Sequence, residues 1–143
     1  GLVYSTETHS TAPTIDKTRQ QTRVLIMDTD TLYATMLSRF LTSRNCECKV
    51  ITDGIDAVDV VHQFRPQAIV ADIFLYGTDV FHLRETLLRE VITSRIPWIL
   101  CAYQKTSNTI SIAHYLGIYH FLRRPVEPSE LAGLIDHLAC EAW

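Results

Sequence analysis

From Arg23 onward, short apolar runs alternate with stretches whose apolar residues recur every three or four positions. That alternation predicts strands separated by helices that cover them. The runs place strands at residues 24–28, 49–52, 68–72, 98–102 and 119–123. Three of them are apolar nearly throughout, as strands of a parallel sheet are when helices cover both faces. Between them, Leu32, Met36, Leu37, Phe40 and Leu41 repeat at helical spacing, as do Ala57, Val60, Val61 and Phe64. Val80, Leu83, Leu87, Leu88 and Val91 make a third stripe, Ile110, Ala113, Tyr115 and Leu116 a weaker fourth, and Leu131, Leu134, Ile135 and Leu138 a fifth. All five are expected to pack on the sheet. The punctuation agrees: Asp53-Gly54 closes the second strand, Arg65-Pro66 ends the second helix, Pro97 precedes the fourth strand, and Glu127-Pro-Ser-Glu130 opens the last helix with acids that suit its dipole.

Five βα units joined by right-handed crossovers give an α/β fold, a doubly wound parallel sheet. Ligands of such sheets bind beyond the carboxyl ends of the strands. That rule singles out Asp28, Asp72, Cys101 or Ala102, and Arg124. Residues 1–22 are rich in Ser and Thr with neither periodicity, and read as a flexible leader ahead of a single domain at 23–143.

Composition narrows the function classes. With 143 residues and 47% apolar content, the chain can bury one core. Thirteen basic and sixteen acidic residues give a net charge of −3, with no block of one sign to follow a phosphate backbone, so no nucleic-acid contact is expected of this domain. The apolar runs fall far short of the roughly 20 residues needed to cross a bilayer, which predicts a cytoplasmic protein with no membrane contact. Of the four cysteines, Cys46 and Cys48 form C-x-C while Cys101 and Cys140 stand apart. No histidine completes a zinc pattern, so free, mostly buried thiols are expected. Trp98 is expected at a partly buried strand edge, and Trp143 as a simple chain terminus.

The stretch VLIMDTDTL places two carboxylates, Asp28 and Asp30, at the end of the first apolar run. Read as D-x-D-x-T-L, it is similar to the first motif of haloacid-dehalogenase-type phosphatases. Those enzymes follow the motif with a glycine-bearing turn and a flap. Here Leu32 to Phe40 runs straight into an amphipathic helix and no glycine occurs until Gly54, so Asp30 reads as a helix N-cap instead.

A broader resemblance covers residues 23–139. VLIMDTD, DGIDAVDVVHQFRPQAIVADIFL, PWILCA and FLRRPVEPSEL, in that order, resemble the response-regulator receiver domain, a flavodoxin-like fold with strand order 2-1-3-4-5. The resemblance implies that Asp72 stands at the phosphoacceptor position and that Asp28, Asp72 and the carbonyl of Phe74 would hold Mg²⁺. It also puts Asp30 in the acidic pocket, Cys101 and Phe121 at the switch positions and Arg124 at the lysine position. Three of these places depart from the family. Thr29 replaces the second acid, which weakens Mg²⁺ binding. Cys101 replaces a hydroxyl. Arg124 replaces the lysine and could pair fork-wise with Asp72. After Asp72 the path Tyr76-Gly-Thr-Asp79-Val80 also differs from the usual loop, whereas Arg124-Pro125 keeps the proline that tolerates a cis bond.

These departures imply a degenerate receiver: no enzyme, no resident cofactor, and a protein-interaction module of two-component-type signalling. Its partner, a kinase, an output domain or a second copy, is expected to meet residues 106–139, with Tyr115, Tyr119, His120, Arg123 and His137 exposed there. The alternatives are a phosphorylatable regulator that uses Asp72 with weakened Mg²⁺ affinity, and the phosphatase.

Overall fold

In the computed structural model, which describes residues 20–143, five parallel strands pair in the order β2-β1-β3-β4-β5. The elements in chain order are β1 (Thr22–Met27), α1 (Thr31–Thr42), β2 (Cys46–Ile51), a single 3-10 turn (Gly54–Asp56), α2 (Ala57–Phe64), β3 (Ala68–Asp72), α3 (Val80–Leu87), α4 (Val91–Ser94), β4 (Trp98–Ala102), α5 (Ser107–Tyr115), β5 (His120–Arg123) and α6 (Pro128–Leu138). The expected doubly wound α/β sheet is therefore the fold of the chain. The leader expected at residues 1–22 lies almost wholly outside the described residues.

Alternate residues of the central strands serve two cores, as the period of a strand requires. Leu25 and Met27 of β1 join Ile69, Ala71, Trp98 and Leu100 on the side covered by α2 and α3. Val24 and Ile26 join Val70, Ile99, Cys101 and Leu122 beneath α1 and α6. β2 begins three positions before the apolar signal because it is an edge strand: Glu47 and Lys49 point to solvent, while Cys46 is buried.

Several helical faces differ from the stripes read in the sequence. α1 is capped by Asp30, and its inward face is Ala34, Leu37 and Leu41, which leaves Leu32 85% exposed. The third stripe does not form one helix. The chain leaves α3 after Leu87, Glu90 is extended, and α4 starts again at Val91, so Leu88 and Val91 face solvent. Thr93 takes the inward place, its hydroxyl donating to Leu87 O at 2.5 Å. In α5, Ala113 and the following Leu116 turn inward and Tyr115 stays 89% exposed.

Both tryptophans correct the sequence reading. Trp98 is 2% exposed because β4 lies between β3 and β5 rather than at an edge. Trp143 is not a loose end. After α6 the chain crosses the amino-terminal end of the sheet, where Cys140 N donates to Gln67 O (3.4 Å), Arg23 pairs with Glu141 (3.2 Å) and the Trp143 indole N–H donates to Pro66 O (2.8 Å). The His62 ring meets the indole edge-on at 6.4 Å, and the Arg65 guanidinium lies 6.0 Å from it. Trp143→Ala is expected to cost about 1 kcal/mol in urea denaturation and to speed exchange of the Cys140 amide. Unchanged exchange would mean the indole does not hold this segment.

Candidate functional site

Parallel strands end on one edge, so residues far apart in sequence meet there. Asp28 follows β1, Asp72 closes β3 directly opposite Cys101 of β4, and Arg124 follows β5 with its amide donating to Ala102 O at 2.9 Å. The structure thus gathers Asp28, Asp72, Cys101 and Arg124 beyond the carboxyl ends of the sheet. The Arg124–Pro125 peptide is cis.

The pairing inside this group is not the expected one. Arg124 does not form a fork with Asp72: its Nη1 lies 2.5 Å from Asp28 Oδ2 and only 3.7 Å from Asp72 Oδ2. Asp28 is buried and Asp72 partly so, and the long Arg124 side chain reaches past the ends of β4 and β3 to the Asp28 carboxylate. The guanidinium carbon lies 4.4 Å from the centre of the Tyr33 ring and 5.4 Å from that of Tyr103, so aromatic faces flank the charge. The Tyr33 hydroxyl in turn accepts from Val126 N. Sequence reasoning missed both tyrosines. Tyr33 is three residues past the Asp30 cap and Tyr103 just past β4, and only the end-on view of the sheet joins them.

The remaining site positions are occupied as follows. Asp30 caps α1 by accepting from Tyr33 N at 3.0 Å, so its carboxylate belongs to the helix end. Thr29 Oγ1 accepts from Tyr76 N at 2.9 Å, and Tyr76 O accepts from Gly54 N at 2.8 Å, which ties three loops of the rim together. Gly54 is required there, because a Cβ would stand 2.4 Å from Thr78 Cγ2. Phe74 donates its amide to Asp72 Oδ1 at 3.1 Å and exposes its ring. Cys101 is buried, and burial pushes its thiol up to about 12. Phe121 is half-buried, with the Lys105 ammonium 5.8 Å from its ring centre and His114 at 6.3 Å. On the 106–139 face, Tyr115, Tyr119, Arg123 and His137 are exposed, while His120 is only half exposed. All four cysteines are free, and Cys140 is exposed.

Burial works against the charge of Arg124, yet the hydrogen bond to Asp28 and the nearby carboxylates hold its pKa above the ordinary arginine value. Asp72 is raised, chiefly by burial and further by Asp28, despite the Phe74 amide and Arg124. A carboxyl raised on folding favours the folded state while protonated and penalises it once ionised, so stability falls as pH climbs through the raised value. Asp72→Asn is therefore expected to raise the urea midpoint at pH 7 and to leave it unchanged near pH 4, about the unfolded carboxyl's own value. A lower midpoint at pH 7 would show that Asp72 stabilises the fold through Arg124 instead.

A five-stranded doubly wound sheet with carboxylates at the ends of β1 and β3 and a cation at the end of β5 defines the receiver class. The sequence pattern of the response regulator receiver domain matches residues 24–136, and the chain belongs to that family. It is 25% identical over 121 residues to the DNA-binding response regulator MtrA of Mycobacterium tuberculosis, covering 85% of this chain and 51% of that protein. It is also 25% identical over 116 residues to the probable transcriptional regulator ycf29 of Porphyra purpurea, covering 80% of this chain and 55% of that protein. The chain thus spans about half the length of these curated relatives. The fold matches the signal receiver domain of a DNA-binding response regulator from Colwellia psychrerythraea, with TM-score 0.74, 24% identity and coverage of 82% of this chain and 98% of that one. It also matches the chemotaxis response regulator CheY4 of Vibrio cholerae, with TM-score 0.75, 17% identity and the same two coverages. α1 starts at Thr31, directly after the acidic pair, so no flap of the phosphatase kind stands between β1 and α1.

Proposed function

We propose that this receiver works as a protein-interaction module of two-component-type signalling in the cytoplasm, without relying on phosphorylation of Asp72. The observation that carries this reading is the buried Asp28–Arg124 pair, which engages the acid at the end of β1 and holds the same guanidinium nitrogen 3.7 Å from Asp72 Oδ2, a looser ion pair. Contacts with a kinase, an output domain or a second copy run through residues 106–139, where Tyr115 and Tyr119 are large exposed side chains. The names of the longer relatives suggest that the output is a DNA-binding segment, with no nucleic acid held by the receiver itself.

One observation favours the phosphorylatable reading. Asp72 Oδ2 accepts no hydrogen bond among the described residues, and its side chain remains 14% exposed. Amide spectra recorded with Mg²⁺ before and after beryllofluoride, which stands in for a phosphoryl group on Asp72, separate the two. The interaction reading expects no shifts at residues 101–124 and a matching spectrum from Asp72→Ala. Shifts that spread from Asp72 to those residues, and vanish in Asp72→Ala, would establish the switch instead.

A further inference from the structure

Three of the four carboxylate oxygens at the ends of β1 and β3 accept hydrogen bonds within the chain, and the fourth lies near the Arg124 guanidinium. Asp28 Oδ1 accepts from Asp30 N at 2.9 Å and Oδ2 from Arg124 Nη1 at 2.5 Å. Asp72 Oδ1 accepts from Phe74 N at 3.1 Å, while Oδ2 lies 3.7 Å from the same Nη1. Thr29 brings no charge, and its hydroxyl oxygen is held by Tyr76 N. Mg²⁺ demands about six oxygens in a near-ideal octahedron at about 2.0–2.1 Å. To enter, it must detach the guanidinium from Asp28 or sit beside it, dication against cation.

The guanidinium is not free to yield. Arg124 is 6% exposed and flanked by the rings of Tyr33 and Tyr103, and Tyr33 is itself anchored at Val126 N. Its Nε is buried with no hydrogen-bond partner among the described residues, a cost offset where the other edge of the group meets Asp28. Swinging it away would leave an unpaired charge in a buried setting. A lysine, with a flexible stem and a point charge, could retreat more easily than this planar group stacked between rings. The donor set of this pocket therefore does not fit the divalent metal that the family resemblance implies.

We infer that Arg124 is the resident cation of the pocket: one guanidinium balances the charge that a divalent metal and a lysine share in the family, and it excludes the metal. The inference deepens the phosphorylation-independent reading and shares its central observation, but makes a separate claim. The charge state of the pocket is set by the chain and does not follow the concentration of Mg²⁺.

The probe is Mn²⁺, whose unpaired electrons broaden amide signals near a bound ion. The 143-residue chain titrated to millimolar Mn²⁺ is expected to show no selective broadening at the amides of Asp28, Asp72 and Phe74. Thr29→Asp alone is expected to bind no better, because the guanidinium remains. The pair Thr29→Asp and Arg124→Lys together is expected to gain selective broadening at those three amides, reversed by excess Mg²⁺, with affinity at least tenfold above the wild type. Selective broadening of the wild type below millimolar Mn²⁺, competed by Mg²⁺, overturns the inference. So does full binding by Thr29→Asp alone, since the missing acid would then be the sole obstacle. Should the double variant fold poorly, these two titrations still decide the matter. Mn²⁺ binding without any response to beryllofluoride would remove this inference and leave the interaction reading intact. A covalent phosphoryl group on Asp72 formed in the presence of EDTA would do the reverse.

Discussion

Asp28→Asn is expected to lower the unfolding free energy by about 3–5 kcal/mol, the range found when one partner of a buried ion pair is removed. The amide keeps the size of the side chain and can still accept from Asp30 N, so the change isolates the charge. What remains is a guanidinium that is 6% exposed, with its nearest remaining carboxylate 3.7 Å away. The loss moves toward the lower end of the range if Asp72 swings in to replace Asp28. Urea denaturation at pH 7 measures it, and the double variant Asp28→Leu with Arg124→Met provides the control. When both side chains go, no guanidinium is left without its partner, although Asp30 N loses its acceptor, so the double variant should be closer to wild type than Asp28→Asn alone. A loss below about 1 kcal/mol in the single variant would place the pair in the range of exposed salt bridges and would undercut the pocket described above. Asp72→Asn, less than a helix turn from the same guanidinium, is expected to act in the opposite direction, because Asp72 is raised by burial while Asp28 carries the pairing.

Arg84→Ala is the second large effect, at about 2–4 kcal/mol. Arg84 is 6% exposed and meets no carboxylate among the described residues. Its charge instead faces backbone: Nε donates to Leu116 O at 2.9 Å, at the end of α5, and Nη1 to Ser94 O at 3.5 Å, at the end of α4. Helix carboxyl ends carry partial negative charge and unpaired carbonyls, so one guanidinium satisfies two ends at once. Burial lowers its pKa from the ordinary arginine value, and because a guanidinium stays charged, the two carbonyls offset part of the cost of desolvating it. Truncation would strand both carbonyls and open a void beside Gly117, where the guanidinium lies. Arg84→Lys should recover only part of the loss, since a single ammonium cannot span both ends. Because α5 opens the proposed contact face, the variant should also speed amide exchange at Gly117 and Ile118, whose bonds to His114 O and Ala113 O close the helix. Protected amides at wild-type stability would reduce Arg84 to a passive filler.

Much of this protein was legible in the order of its residues. Apolar runs between amphipathic stretches identify five strands, and right-handed crossovers leave few ways to join them, so the doubly wound sheet follows from local pattern and chirality. The rule that ligands gather at strand ends also brings Asp28, Asp72, Cys101 and Arg124 to one place from residue order alone. The cap at Asp30 was readable because capping involves neighbours three residues apart.

Tertiary structure decided the rest, for a common reason. Periodicity says that a residue faces inward, but not which partner it meets there. Whether Arg124 reached Asp28 or Asp72 depended on strand register and loop path across 96 positions of sequence. The tyrosines that flank it, and the threonine hydroxyl that took the place of an acid only to hold Tyr76, follow from the same end-on packing. The helical stripes misled at Leu32, Leu88, Val91 and Tyr115 because hydrophobicity marks candidates for burial, while the break after Leu87 and the rotation of each helix determine which are used. Trp143 looked terminal because nothing local reveals that the chain turns back beneath the sheet to meet Pro66. The sequence by itself determined the sheet and the chemistry available at its edge; only the assembled fold decided which charge neutralises which.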